Sequence, residues 1–236
     1  MATIIGADAA KLAGLQIDLL QKARQDQVTL DHLEWFIKLS KSQRDMLSGA
    51  DLSKLKSVVP NIDWKATYKE LGIAAPCALI TREDDFWYMP VTEEVTCDLI
   101  IKTLRRLGIT CDLYIENLDA DVRENDRHPK SGVYTVKMRR RIEADEEFKN
   151  LSADQLKERG HSGITLLEQL LLFLGYYVTT KQYLDVENWT LCSGSRYSVD
   201  YVPYVHWDPS HRRLYVSWTH RGYRYDDLRS REAVLL

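Results

Sequence analysis

Hydrophobic and polar positions change their period along the chain. Over residues 7–57 apolar residues recur at roughly helical spacing: Leu12, Leu15, Ile17, Leu19 and Leu20. A second helix is expected from Thr29, a good N-cap, through Leu33, Phe36, Ile37 and Leu39. A shorter one follows from Ser40, with Gln43 three residues on. Pro60 and Pro76 bracket a connection with one short helix, and a domain boundary is expected there. Residues 1–72 then form a helical N-terminal module and residues 73–236 a second domain. The charges on the module read as a solvated face, with a homo-oligomer or partner contact through these helices as the alternative.

Beyond the boundary the pattern is mixed. Phe86 to Val91 reads as a strand. Thr92 is expected to cap a helix with Glu93 and Glu94 in its first turn, Arg105 and Arg106 in its last, and Gly108 at its end. A strand Thr110–Glu116, an acidic loop and a strand Gly132–Arg141 follow. Two capping-box patterns, Ser152–Gln155 and Thr165–Glu168, start two helices. The second carries LLLFLGYY, apolar nearly all round, which predicts burial on more than one face. From about Tyr183 the chain is β-like, loop-rich and aromatic. Helices ahead of a strand-rich tail imply an α+β fold rather than alternating parallel units.

The tail contains VPYVHWDPSHRRLYVSW, residues 202–218, in which alternate residues differ in kind. Val205 and Trp207, then Leu214, Val216 and Trp218, form one regular face. Tyr204, His206 and Asp208, then Tyr215, Ser217 and Thr219, form a mixed one. Side chains alternate across a strand, so the first set is expected to be buried and the second exposed.

Composition narrows the function classes. Apolar content of 44% and charged content of 28% fit a globular domain. A net charge of −3 weighs against a general nucleic-acid binder. No basic, apolar signal sequence opens the chain and no apolar run spans a membrane, so the cytoplasm or a virus particle is the expected location. Residues 182–236 hold seven Tyr and seven Arg but no Lys, against fourteen Lys in residues 1–181; Asn is absent after Asn188. Tyr and Arg without Lys is the composition of recognition surfaces.

Catalytic signals are weak. No nucleophile elbow, H-E-x-x-H or phosphate loop occurs. Cysteines 77, 97, 111 and 192 have no metal or redox spacing. A Cys192–His206 nucleophile pair is conceivable, but a structural thiol beside an exposed His is the better reading. The acidic residues at 117–126 lack the spacing of a calcium loop. His206, His211 and His220, with Asp208, Asp226 and Asp227, follow no ligand pattern, so no metal or cofactor is expected.

The run Asn188-Trp-Thr-Leu-Cys-Ser-Gly-Ser-Arg196, then Val202-Pro-x-Val-x-Trp207, Leu214-x-Val-x-Trp218 and Leu228-Arg-Ser-Arg231, resembles the C-terminal variable region of proteins diversified by diversity-generating retroelements. Upstream, Glu143-Ala-Asp-Glu-Glu, Gly163-Ile-Thr-Leu-Leu-Glu168 and Leu184-Asp-Val-Glu-Asn-Trp189 look like the same family, so the likeness covers about residues 130–236. It implies a C-type-lectin-like domain and a non-enzymatic binding function for an unknown ligand, a protein. In such systems an error-prone reverse transcriptase randomises template adenines, turning Asn codons into Tyr, Ser, Asp, His and Thr codons among others. The variable region would span about 196–231. Its variable, ligand-binding positions would be Tyr197, Asp200, Tyr201, Tyr204, His206, Asp208, His211, Tyr215, Ser217, Thr219, His220, Tyr223, Tyr225, Asp226 and Asp227. Val205, Trp207, Val216 and Trp218 would be scaffold. Two other readings stand beside it: a single-stranded nucleic-acid module using Tyr and Arg, and a formylglycine-generating-like enzyme needing paired reactive cysteines.

Overall fold

A computed structural model describes residues 59–76, 83 and 85–236. Nearly all of the expected N-terminal module, and Cys77, lie outside the described residues. Val59–Leu236 form one compact unit. Helix α1 (Trp64–Leu71) belongs to it, so the unit begins ahead of the boundary expected at 72/73. The reason is packing. α1 buries Trp64, Thr67, Tyr68 and Leu71, and rests on the long helix Leu166–Thr180.

The first strand, β1 (Phe86–Val91), matches expectation. Helix α2 (Cys97–Arg106) starts later than expected, because Thr96 rather than Thr92 is its cap. The Thr96 hydroxyl accepts from Leu99 N at 3.1 Å, and the Asp119 carboxylate accepts from Cys97 N and Asp98 N at 2.9 Å each. A carboxylate arriving from another segment satisfies open donors at the helix start and supplies the negative charge there that was expected from Glu93 and Glu94. Strand β2 (Thr110–Leu113) is shorter than the expected Thr110–Glu116. A short helix α3 (Leu118–Asp121), strand β3 (Glu124–Asn125) and strand β4 (Tyr134–Arg139) follow.

Helices α4 (Ala153–Glu158) and α5 (Leu166–Thr180) both carry complete capping boxes at the expected residues. α5 is buried without interruption from Leu166 to Tyr176 and packs against α1, α2 and the strand Tyr201–Asp208. Each fully buried Leu on it contributes about 1.5–3 kcal/mol. Gly175 permits the contact with α1: a Cβ there would meet Ile62 and Trp64 at 2.8 Å.

The tail supplies β5 (Trp189–Leu191), β6 (Ser195–Arg196), β7 (Tyr201–Asp208), β8 (Arg213–His220), β9 (Leu228–Ser230) and β10 (Val234–Leu235). Three sheets result, in orders β1-β4-β10, β2-β8-β7-β5-β9 and β3-β6. The β7–β8 hairpin is antiparallel, whereas β2–β8 and β5–β9 are parallel. The fold is α+β.

Buried charges tie these parts together. Arg231 and Asp185 are 2% and 1% exposed and pair at 2.6 Å. Arg231 also donates to Arg141 O and Ile142 O, and Gln169 on α5 donates to the other Asp185 oxygen at 2.6 Å. Burial pushes the Asp185 carboxyl up to about 6 despite Arg231. At the start of α5, Arg127 grips Glu168 with two bonds of 2.8 Å and reaches Gly163 O at 2.6 Å. Glu143 cradles the turn before β5, accepting from the backbone of Val186, Glu187 and Asn188.

Removing one member of a buried ion pair strands the other. Arg231→Ala is expected to lower unfolding free energy by about 3–5 kcal/mol in urea titration. The double variant Asp185→Asn/Arg231→Met should recover most of that loss. Asn is chosen because residue 185 has φ of 54°, a left-handed conformation that Asn tolerates.

Candidate ligand-binding surface

The register of the β7–β8 hairpin sets out two faces. Pro203, Val205 and Trp207 oppose Trp218, Val216 and Leu214 on one side. Val202, Tyr204, His206 and Asp208 oppose Thr219, Ser217, Tyr215 and Arg213 on the other. Val205, Val216 and Leu214 are fully buried, and Trp207 nearly so. The Trp207 ring stacks on Tyr183 with centroids 3.6 Å apart and meets Phe173 of α5 at 6.2 Å.

Two positions depart from the expected division. Trp218 was expected in the core and is 40% exposed. It sits one rung beyond Val205–Val216, where among the described residues it meets the rings of Tyr197 at 6.2 Å and Tyr201 edge-on at 4.6 Å. Strand alternation continues there, but the core has ended. Thr219 was expected outside and is buried. Its partner Val202 joins a second apolar cluster with Ala153, Leu156, Leu191 and Leu228. α4 closes this end of the outer face, held by the Asp154 N to Arg221 O bond and the Arg221–Asp154 pair.

The remaining outer face carries a row of rings across the strands. Tyr114, just after β2, stacks on Tyr215 with centroids 5.4 Å apart, their hydroxyls 3.1 Å apart. Tyr215 stacks on His206 at 5.2 Å, and His206 on Trp189 of β5 at 5.0 Å. Trp189 also stacks on Tyr204 at 5.1 Å and touches Tyr225 at 6.3 Å. The strand spacing of about 4.8 Å sets these separations. Near-parallel planes at such distances are offset stacks, so the rings cover one another's faces.

Polar groups hold the edges. The Asp208 side chain accepts from Ser210 N and His211 N and meets His211 Nδ1 at 2.7 Å, which fastens the four-residue turn Pro209–Arg212. Burial opposes charge on Asp208, but its hydrogen bonds from His211 and Ser210 hold the carboxyl below its ordinary value. Arg213 pairs with Asp112 and Asp208 and lies 4.7 Å over the Tyr215 ring. Burial pulls the His206 imidazole below its ordinary value, and its Nδ1 has no hydrogen-bond partner among the described residues.

A second group continues round the end of the sheet. Tyr201 meets His220 edge-on at 5.8 Å, His220 meets Tyr223 at 5.1 Å, and Tyr223 meets Tyr225 edge-on at 6.2 Å. Asp200, Tyr223, Tyr225, Asp226 and Asp227 are exposed. Every position expected to be variable except Thr219 therefore reaches solvent at least in part. Sequence reasoning missed Tyr114, Asp112 and Trp189 as members of this surface. Trp189 stood in the recognised run without a role, and Tyr114 is 101 residues from its partner.

Thiol chemistry finds no footing among the described residues. Cys97, Cys111 and Cys192 are buried. Burial pushes the Cys97 and Cys192 thiols well up and that of Cys111 to about 11, which suppresses the thiolate. Cys192 lies in the core cluster with Val205, while His206 stands on the opposite face of the sheet. Among the described residues no three His, Cys, Asp or Glu side chains converge as metal ligands. Nor is any helix among them long and apolar enough to cross a membrane.

Two measurements check this geometry. Trp207→Ala should destabilise the fold by about 3–5 kcal/mol, and Trp218→Ala by less than half as much, in the same urea titration. Acid should also act through His206. Its folded pKa lies below that of the unfolded chain, so its contribution is complete above the ordinary histidine value and is lost as pH falls through it. Between pH 7 and 5.5 the melting temperature of His206→Phe should therefore fall less than that of the native protein.

No protein family matches this chain, and neither a curated protein nor a solved structure shows significant similarity to it.

Proposed function

We propose that this is a non-catalytic binding protein, with a C-type-lectin-like second domain whose surface at about 196–231 is diversified by a retroelement and binds a protein ligand. One observation carries the reading. The positions assigned as variable reach solvent, Thr219 excepted, while Val205, Trp207 and Val216 are locked in the core. Exchange at the first set leaves the packing that defines the fold in place. The α+β build, with helices ahead of a strand-rich tail, is compatible with the lectin-like fold, and a fold of that kind implies neither sugar nor calcium binding.

The single-strand nucleic-acid reading has less support. Stacking platforms offer ring faces to bases, and the rings from Tyr114 to Trp189 cover one another's faces. Buried, protonated cysteines weigh against the enzyme reading.

The test lies in the DNA beside the gene. Sequencing a population should find a near-copy of codons 196–231 next to a reverse-transcriptase gene, differing only opposite adenines, with differences at the outward positions. Finding no copy, or differences spread equally onto Val205 and Trp207, would remove diversification from the reading.

A further inference from the structure

The two halves of the aromatic surface differ in how their rings meet. Across the strands the rings are parallel and their faces are spent on each other. At the sheet end three pairs meet at steep angles, 73° for Tyr201 and Trp218, 90° for Tyr201 and His220 and 83° for Tyr223 and Tyr225, while His220 and Tyr223 meet at 44° and Tyr197 lies near-parallel to Trp218 at a centroid distance of 6.2 Å. Perpendicular rings form corners, and an edge-on contact covers a face of only one partner. Trp218, Tyr223 and Tyr225 keep 40%, 57% and 42% of their surface in water.

Charge around these corners is lopsided. Asp200, Asp226 and Asp227 are exposed and make no ion pair among the described residues. Of the nearby cations, Arg221 is engaged by Asp154, Arg196 donates to Ser193 O and Ser195 O, and Arg224 is exposed. Open aromatic faces attract cations through the ring quadrupole, and adjacent carboxylates add to the same field.

We infer that the sheet end built from Trp218, Tyr201, Tyr223 and Tyr225, with Asp200, Asp226 and Asp227, receives lysine or arginine side chains of a protein partner. This rests on the binding-surface reading above and names the ligand chemistry of one part of that surface. Trp218 is its anchor. It was assigned as scaffold, yet it stands in solvent between Tyr197 and Tyr201, which were assigned as variable. A single exposed cation–π contact is weak, so recognition takes several basic side chains at once.

The test titrates the full chain with a hexalysine peptide in about 0.15 M salt, where diffuse attraction is screened beyond about 8 Å. Affinities are read by calorimetry, indole N–H resonances are followed by NMR in the native chain, and the Trp218 signal is assigned with Trp218→Phe. The Trp218 resonance should shift while the Trp207 resonance, a reporter of the intact core, stays put. Trp218→Ala and the variant Asp200→Asn/Asp226→Asn/Asp227→Asn should each weaken binding about two- to fivefold. Trp218→Phe should keep most of the binding, Val133→Ala, at an exposed position outside this surface, should stay close to native, and fully acetylated hexalysine should not bind. Equal binding by Trp218→Ala, a still Trp218 resonance, or a poly(dT) strand shifting that resonance in place of hexalysine overturns the inference. A missing template copy beside the gene would remove diversification and leave this titration as it is. A copy with no hexalysine binding removes the cation site alone.

Discussion

The contact on which the other parts depend is the buried pair of Arg231 and Asp185. Two opposite charges nearly out of water are tolerable only when further hydrogen bonds support the pair. Here they come from Gln169 on the central helix and from the carbonyls of Arg141 and Ile142, which follow β4, while Arg231 Nε has no partner among the described residues. Asp185 also uses its backbone, its carbonyl accepting from Trp207 N at 2.9 Å. Asp185 and Arg231 together thus join the stretch after β9, the central helix, the exit from β4 and strand β7. The hairpin can present a mixed outer face because its position is secured from behind.

The same logic separates rigidity from recognition. Trp207 stacks between the tail and α5, whereas Trp218, the same residue type at the same strand phase, lies past the end of that support. Burial depends on what stands opposite, not on strand phase alone. The outer face shows the converse at Thr219, which has outward phase but lies under α4.

Elements specified by neighbours in sequence were legible. The capping boxes at Ser152 and Thr165, the largely apolar α5 and the strand Phe86–Val91 needed only local propensity and pattern. Features set by distant segments were not. Asp119 moves the start of α2 to Cys97 from across 22 residues. Tyr114 reaches the aromatic row through the parallel pairing of β2 with β8, a register that no local pattern encodes. Tyr204, His206, Asp208 and Tyr215 were legible because hairpin phase is local, whereas Tyr223, Tyr225, Asp226 and Asp227 were named only through the family resemblance; the ends of the face, where loops and helices decide cover, were where Trp218 and Thr219 went the other way.

Stacking between rungs has a bearing on how many different surfaces the face can offer. His206 is held between Trp189 and Tyr215, and Tyr204 lies against Trp189. Exchange of one ring strips its neighbours of cover, so the worth of a residue at one rung depends on what occupies the next. Under the proposed diversification, positions 204, 206 and 215 would be sampled as a coupled set, with far fewer usable combinations than their product. Asp226 and Asp227, in the exposed turn ahead of β9, would vary free of that dependence. A repertoire built on this frame would be narrow along the ladder and broad at the turn.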